Sequence, residues 1–209
     1  PLRREVGLGS YESAWFLAHR ICAAMAAPPM QKLLKGTVEV DETYIGGKPR
    51  HKNQSKRGRG TKKTPVVGLV KRDGDVISHP IDHVDGRTLK TTIQANVEPD
   101  SVIMTDEWRS YRGLDKLYKA HHVIKHNEGV YSLDGVNTNT IESFWSLLKR
   151  GVYGIFHHVS KRHLHLYCDE FSFRWNNRRI DDGLRRDFAM YSSGNKRLTY
   201  KMLVRGYNV

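Results

Sequence analysis

The stretch from residue 37 to residue 104 constrains the fold most, because it carries two periodicities in a fixed order. Thr37–Ile45, 65–70 and 76–81 are short runs rich in β-branched residues, and each reads as a strand. Lys71-Arg72-Asp73-Gly74-Asp75 joins the second run to the third, and its Asp-Gly step is a hairpin signal. Gly86–Asn96 then changes to helical spacing through Leu89 and Ile93, before a fourth apolar run at 101–104 that ends on Thr105-Asp106. Three strands in antiparallel succession, then a helix and another strand, require a crossover connection and hence a mixed sheet with helical cover.

The remaining chain extends this pattern. Val123-Ile124 reads as a last strand and Asn139–Arg150 as a helix. Residues 160–175 read as a further helix whose Leu164, Tyr167, Cys168, Phe171 and Trp175 form an apolar stripe suited to a core. The predicted order is β-β-β-α-β-α-β-α-α, an α/β class with helices on both faces of the sheet. Upstream, 2–6 and 11–25 read as the end of one helix and a second helix, with Ser10 placed to cap the second. That pair fits either the latter part of a helix-turn-helix or two ordinary packed helices, and a further N-terminal piece is expected before it. The expected domains are a partial helix-turn-helix-like segment at 1–35, the main α/β domain at 36–180 and a C-terminal extension at 181–209.

Composition narrows the partners. Lys and Arg total 35 against 22 Asp and Glu, a formal charge of +13, so the chain carries a field that concentrates polyanions. Eight of those cations, Lys48, Arg50, Lys52, Lys56, Arg57, Arg59, Lys62 and Lys63, fall in the acid-free segment 48–63. Such a segment cannot bury itself and reads as a mobile loop between the first two strands, either merely solvated or a DNA-gripping arm. No apolar run approaches the roughly 18 residues of a membrane helix. Cys22 and Cys168 are the only cysteines, each in a helical segment, and read as packing residues rather than a disulfide or zinc site.

Three acids stand where strand ends and a covering helix can converge: Asp41 in the first strand, Asp106 at the end of the fourth and Glu142 early in a helix. Val38 and Val40 share one face of the first strand, so Asp41 projects from the other with Glu39 and Thr43. Each acid also has an ordinary reading: Asp41 as a strand-end turn former, Asp106 as the cap of a following helix, Glu142 as the partner of Asn139 in a variant capping box. Together they form an oxygen-donor set suited to hard cations such as Mg²⁺ or Mn²⁺. Two such ions roughly 3.5–4 Å apart can activate an attacking oxygen and stabilise a leaving one.

The settings of these acids resemble a known family. Val40-Asp41-Glu42-Thr43-Tyr44-Ile45-Gly46-Gly47-Lys48, Thr105-Asp106-Glu107-Trp108-Arg109-Ser110-Tyr111, and the run from Asn137 through Thr140-Ile141-Glu142-Ser143-Phe144-Trp145 to Lys149-Arg150-Gly151 look like the catalytic blocks of bacterial insertion-sequence DDE transposases. The branch is the one with an N-terminal zinc ribbon, and the resemblance runs from about residue 10 to the end. It implies a ribonuclease H-like fold for the 36–180 domain, with Asp41, Asp106 and Glu142 as catalytic metal ligands for Mg²⁺, Mn²⁺ substituting. The gap of about 35 residues between Asp106 and Glu142 is the spacing associated with many such enzymes.

Further expectations follow from the resemblance. Lys149, about two helical turns beyond Glu142 on the same face, would contact DNA phosphate with Arg150, and Trp145 would either stack on a base or pack. Glu170 would approach the site or, more simply, pair with Arg174 at helical spacing. Two features depart from the family: Asn137 stands where a His is frequent, and the zinc-ribbon cysteines are absent from this chain. The scattered His121, His122, His126, His157, His158, His163 and His165 fit no strong ligand pattern. The expected activity is cleavage at element ends and 3′-OH strand transfer on double-stranded DNA, by a homo-oligomer assembled on DNA in the prokaryotic cytoplasm at the nucleoid, with no membrane partner. The rival readings are a metal-dependent nuclease that does not join and a domesticated DNA-binding protein without catalysis.

Overall fold

The structure is a computed structural model that describes residues 2–26, 32–46, 63–124, 138–194 and 196–205. In chain order the elements are α1 (Leu2–Glu5), α2 (Tyr11–Met25), β1 (Thr37–Ile45), β2 (Thr64–Lys71), β3 (Val76–Pro80), α3 (Gly86–Asn96), β4 (Val102–Asp106), β5 (Ala120–Ile124), α4 (Asn139–Arg150), α5 (Leu164–Asn176), α6 (Asp182–Ser193) and α7 (Tyr200–Arg205). They fall into two compact units, 31–161 and the combination of 1–30 with 162–209. Helix α5 thus packs in the second of these, whereas the sequence reading places it within 36–180.

The 31–161 unit is built on a five-stranded mixed sheet in the order β3-β2-β1-β4-β5. β1, β2 and β3 are mutually antiparallel neighbours, while β4 and β5 run parallel to β1. The hairpin at 71–75 closes with Gly74 N–H donating to the Lys71 carbonyl, and Asp73 takes φ +57°, a conformation that Asp tolerates better than bulky residues. Alternation along β1 sends Val38 and Val40 into a core with Val67, Leu69 and Ile77 of β2 and β3. Leu89 and Ile93 of α3 complete that layer, and Asp85 caps α3 by accepting from the amides of Arg87 and Thr88. The opposite face carries Glu39, Asp41 and Gly68 and is covered by α4. This α/β arrangement, with three antiparallel strands, a crossover and helices on both faces, is a ribonuclease H-like fold.

One expected helix is absent among the described residues. Between β4 and β5 there are two single 3-10 turns, Arg109–Tyr111 and Leu114–Lys116. Trp108 and Arg112 are extended and Gly113 is left-handed at φ +87°, so no run there is long enough for an α-helix. Helix α5 starts at Leu164, where its apolar stripe begins, rather than at 160, after a 3-10 turn at Lys161–His163.

In the other unit, Ser10 caps α2 by accepting from the Ser13 amide at 3.0 Å, as its position predicts. Leu164, Cys168 and Phe171 of α5 are buried, as is Cys22 of α2, and both cysteines are free. The Cys22 thiol donates to Glu170, which also receives the Arg174 guanidinium at 2.7 Å. Glu170 therefore forms the expected pair with Arg174. No helix among the described residues is long and apolar enough to cross a membrane.

Candidate active site

Sheet register sets the first two acids side by side. The parallel pairing of β1 with β4 matches Thr37 to Val102, Val38 to Ile103 and Glu39 to Met104. The pairing ends there; two residues further along each strand stand Asp41 and Asp106, on the face that carries Glu39 and Met104, and near enough that the Asp106 charge acts on Asp41. Asp41 lies opposite Gly68 in the antiparallel ladder with β2. Its Oδ2 accepts the Trp145 indole N–H at 2.9 Å. Asp106 is oriented by the backbone, its Oδ1 accepting from the Trp108 amide at 3.0 Å.

The Asp41 carboxyl has its pKa pushed up to about 6. Burial is the main cause and the neighbouring Glu42 charge the next; Asp106 adds to both, while the Glu42 amide and the Trp145 indole oppose them. On the other face of β1, Glu42 accepts the Tyr111 hydroxyl at 2.7 Å. Burial foremost, then the Glu42 charge, raise the Tyr111 pKa well above its ordinary value, so the phenol stays a donor.

Helix α4 lies over this face because one position of the sheet has no side chain. A Cβ at Gly68 would stand 2.6 Å from the Trp145 ring and 2.8 Å from Ile141 Cδ1, so only glycine admits the helix at this depth. Ile141, Phe144, Trp145 and Leu148 are buried, while Glu142, Lys149 and Arg150 are exposed. Trp145 is 4% exposed, which settles its alternatives toward packing, with the added task of holding Asp41.

The start of α4 is held from the sheet. Thr138 is the N-cap without a side-chain cap bond. Glu39, wholly buried in β1, accepts the Ile141 amide at 3.0 Å and the Thr140 hydroxyl at 2.9 Å. Arg72 of the hairpin donates to the same carboxylate at 3.3 Å and also touches Met104 Sδ. Sequence reasoning assigned no role to Glu39, Gly68 or Arg72. A signal for Glu39 was available in its place on the same strand face as Asp41.

The structure thus brings Asp41 and Asp106 together and sets Glu142 on the exposed first turn of the helix that Asp41 anchors. Among the described residues no group of three or more His, Cys, Asp or Glu is gathered closely enough to hold one metal ion. The adjacent carboxylates fit a hard divalent cation, since their donors are all oxygen and a cation would offset both the burial that chiefly raises Asp41 and the smaller repulsion from its acidic neighbours. Lys149 and Arg150 extend the exposed face of α4, with Arg150 Nε donating to the Ser146 carbonyl at 3.3 Å. Lys63 lies over the Tyr153 ring, 5.6 Å from its centre. Lys48, Arg50, Lys52, Lys56, Arg57, Arg59 and Lys62 lie outside the described residues.

Comparison with known proteins gives a family match over more than half the chain: residues 33–176 match the model of the ISXO2-like transposase domain. A Haemophilus influenzae protein described as an uncharacterized transposase-like protein is 34% identical over 100 residues, covering 48% of this chain and 80% of that protein. Among solved structures, the simian T-cell lymphotropic virus intasome in complex with PP2A regulatory subunit B56 gamma aligns with a TM-score of 0.39 at 13% identity. That alignment covers 94% of this chain and spans 65% of the matched one.

Proposed function

This chain belongs to the ISXO2-like transposase family, a family of DNA-processing enzymes of insertion sequences, and from that premise we propose that it cuts DNA at element ends and joins the freed 3′-OH to target DNA. The observation that carries this reading is the juxtaposition of Asp41 and Asp106 on neighbouring parallel strands, under a helix whose first turn presents Glu142. In this reading Asp41, Asp106 and Glu142 hold Mg²⁺, or Mn²⁺ in its place. When bound, the metal supplies activation of the attacking oxygen and stabilisation of the leaving one.

The chain's own residues supply the rest. Asp41 must be ionised to serve as a ligand, so protons compete with the metal and metal affinity falls as pH drops below about 6, the pKa of the metal-free carboxyl. Trp145 fixes the rotamer of Asp41 through its indole N–H. The exposed Lys149 and Arg150 bind phosphates beside Glu142, and the basic segment 48–63 supplies non-specific affinity for double-stranded DNA. Joining two ends to one target calls for at least two protomers assembled on DNA.

The test is strand transfer of labelled, pre-cleaved element ends into a plasmid with Mg²⁺ or Mn²⁺, comparing the wild type with Glu142→Gln at matched DNA binding. Joined products from the wild type that vanish in the variant support the reading. Cleavage of uncut ends without any joining makes the protein a nuclease, and DNA binding with neither activity makes it a binder.

A further inference from the structure

The Glu39 carboxylate is buried and two residues from Asp41, and its partners lie on two other elements, α4 and the β2–β3 hairpin. Burial of a charge is unfavourable unless it is fully hydrogen-bonded, and this one is met by the Thr140 hydroxyl, the Ile141 amide and the Arg72 guanidinium. Two of those donors are the residues immediately before Glu142. An amide of a helix's first turn has no partner within the helix, and the positive end of the helix dipole favours an anion at that place. Thr138 provides no side-chain cap, so the sheet supplies the cap instead.

We propose that Glu39 is a positioning residue: it fixes the first turn of α4 against β1 and thereby sets where Glu142 stands relative to Asp41 and Asp106. This rests on the reading of the three acids given above. Packing of Ile141 against Gly68 sets the depth of that turn, and the directional bonds to Glu39 add a fixed orientation. Trp145 fixes the middle of α4, one turn beyond Glu142, and helix ends fray where their first amides lack directional partners. Glu39 ties the end to the strand that carries Asp41, and Arg72 holds the carboxylate on the side of β4, where it touches Met104. Glu39 therefore couples the strand bearing the first acid to the turn bearing the third, and through Arg72 it is linked to Met104 of the strand bearing the second.

The experiment uses Glu39→Gln in the whole chain, with Asp41→Asn alongside. The amide keeps the shape but offers one acceptor where Glu39 uses both oxygens. Hydrogen exchange at the Ile141 amide is measured without metal, and strand transfer of pre-cleaved ends gives kcat and the KM for DNA. The proposal expects Ile141 exchange faster by about tenfold or more, kcat lower by about 10²-fold for a misplacement near 1 Å, and KM for DNA unchanged. Faster exchange with wild-type kcat would leave Glu39 a purely structural residue and overturn the proposal. Slower turnover with unchanged exchange, or no change in either, overturns it as well. Asp41→Asn separates the two levels: wild-type joining by that variant defeats the reading of the acids, whereas its loss beside an unaffected Glu39→Gln defeats the positioning role alone. If Glu39→Gln does not fold, Thr140→Val, which leaves the carboxylate in place, is judged by the same paired readout.

Discussion

Asp41 binds its proton more tightly in the folded chain, at about 6, than its ordinary 3.8. A raised carboxyl pKa contributes stability that is fully present below the unfolded value and is lost as pH rises through the folded one. Metal-free protein is therefore expected to lose stability between about pH 4 and pH 6 on account of this residue, and Asp41→Asn is expected to remove that component. Urea unfolding at several pH values reads it, and identical pH profiles for the two proteins would remove Asp41 as its source. Trp145→Phe retains an aromatic ring over Gly68 but deletes the hydrogen bond that lowers the Asp41 pKa. The pH at which Mn²⁺ binding reaches half its plateau should then move upward. Calorimetric titration across pH checks this, and a midpoint that stays or falls contradicts the assigned role of the indole.

Element by element, the regular parts of the fold were legible in local periodicity. Alternating Val38 and Val40 fixed the faces of β1, and the apolar spacing of α3 and α4 gave both helices their observed ends. The 107–119 connection was not legible, because Gly113 and the extended Trp108 and Arg112 break a segment that the order of elements makes look helical. The nearness of Asp41 to Asp106 depends on a parallel register between strands far apart in sequence, which local pattern cannot supply. Gly68 likewise looks like a weakness in a strand until α4 is in place. Gly68→Ala is expected to destabilise the protein by about 1–3 kcal/mol through overpacking. It should also reduce joining by lifting Trp145 from Asp41. Chemical denaturation and strand transfer measure the two effects, and a variant neutral in both would show that α4 does not depend on that gap.

At the scale of the whole molecule, the charge of +13 predicts that DNA affinity falls steeply with salt. Neutralising Lys48, Arg50, Lys52, Lys56, Arg57, Arg59, Lys62 and Lys63 together should flatten the dependence of log K on log salt by about 0.9 for each phosphate that the segment no longer neutralises. An unchanged slope in fluorescence anisotropy would remove the segment 48–63 from the interface. The proposed activity depends on the assembly of the site, in which Asp41 and Asp106 are neighbours and Glu142 is proposed to join them as a third ligand. Calorimetric titration of Mn²⁺ into the complex with element-end DNA, for the wild type, Asp41→Asn, Asp106→Asn and Glu142→Gln, tests it most directly. Each substitution is expected to weaken or abolish Mn²⁺ binding while DNA binding is retained; wild-type Mn²⁺ affinity in Glu142→Gln would show that Glu142 is not a ligand.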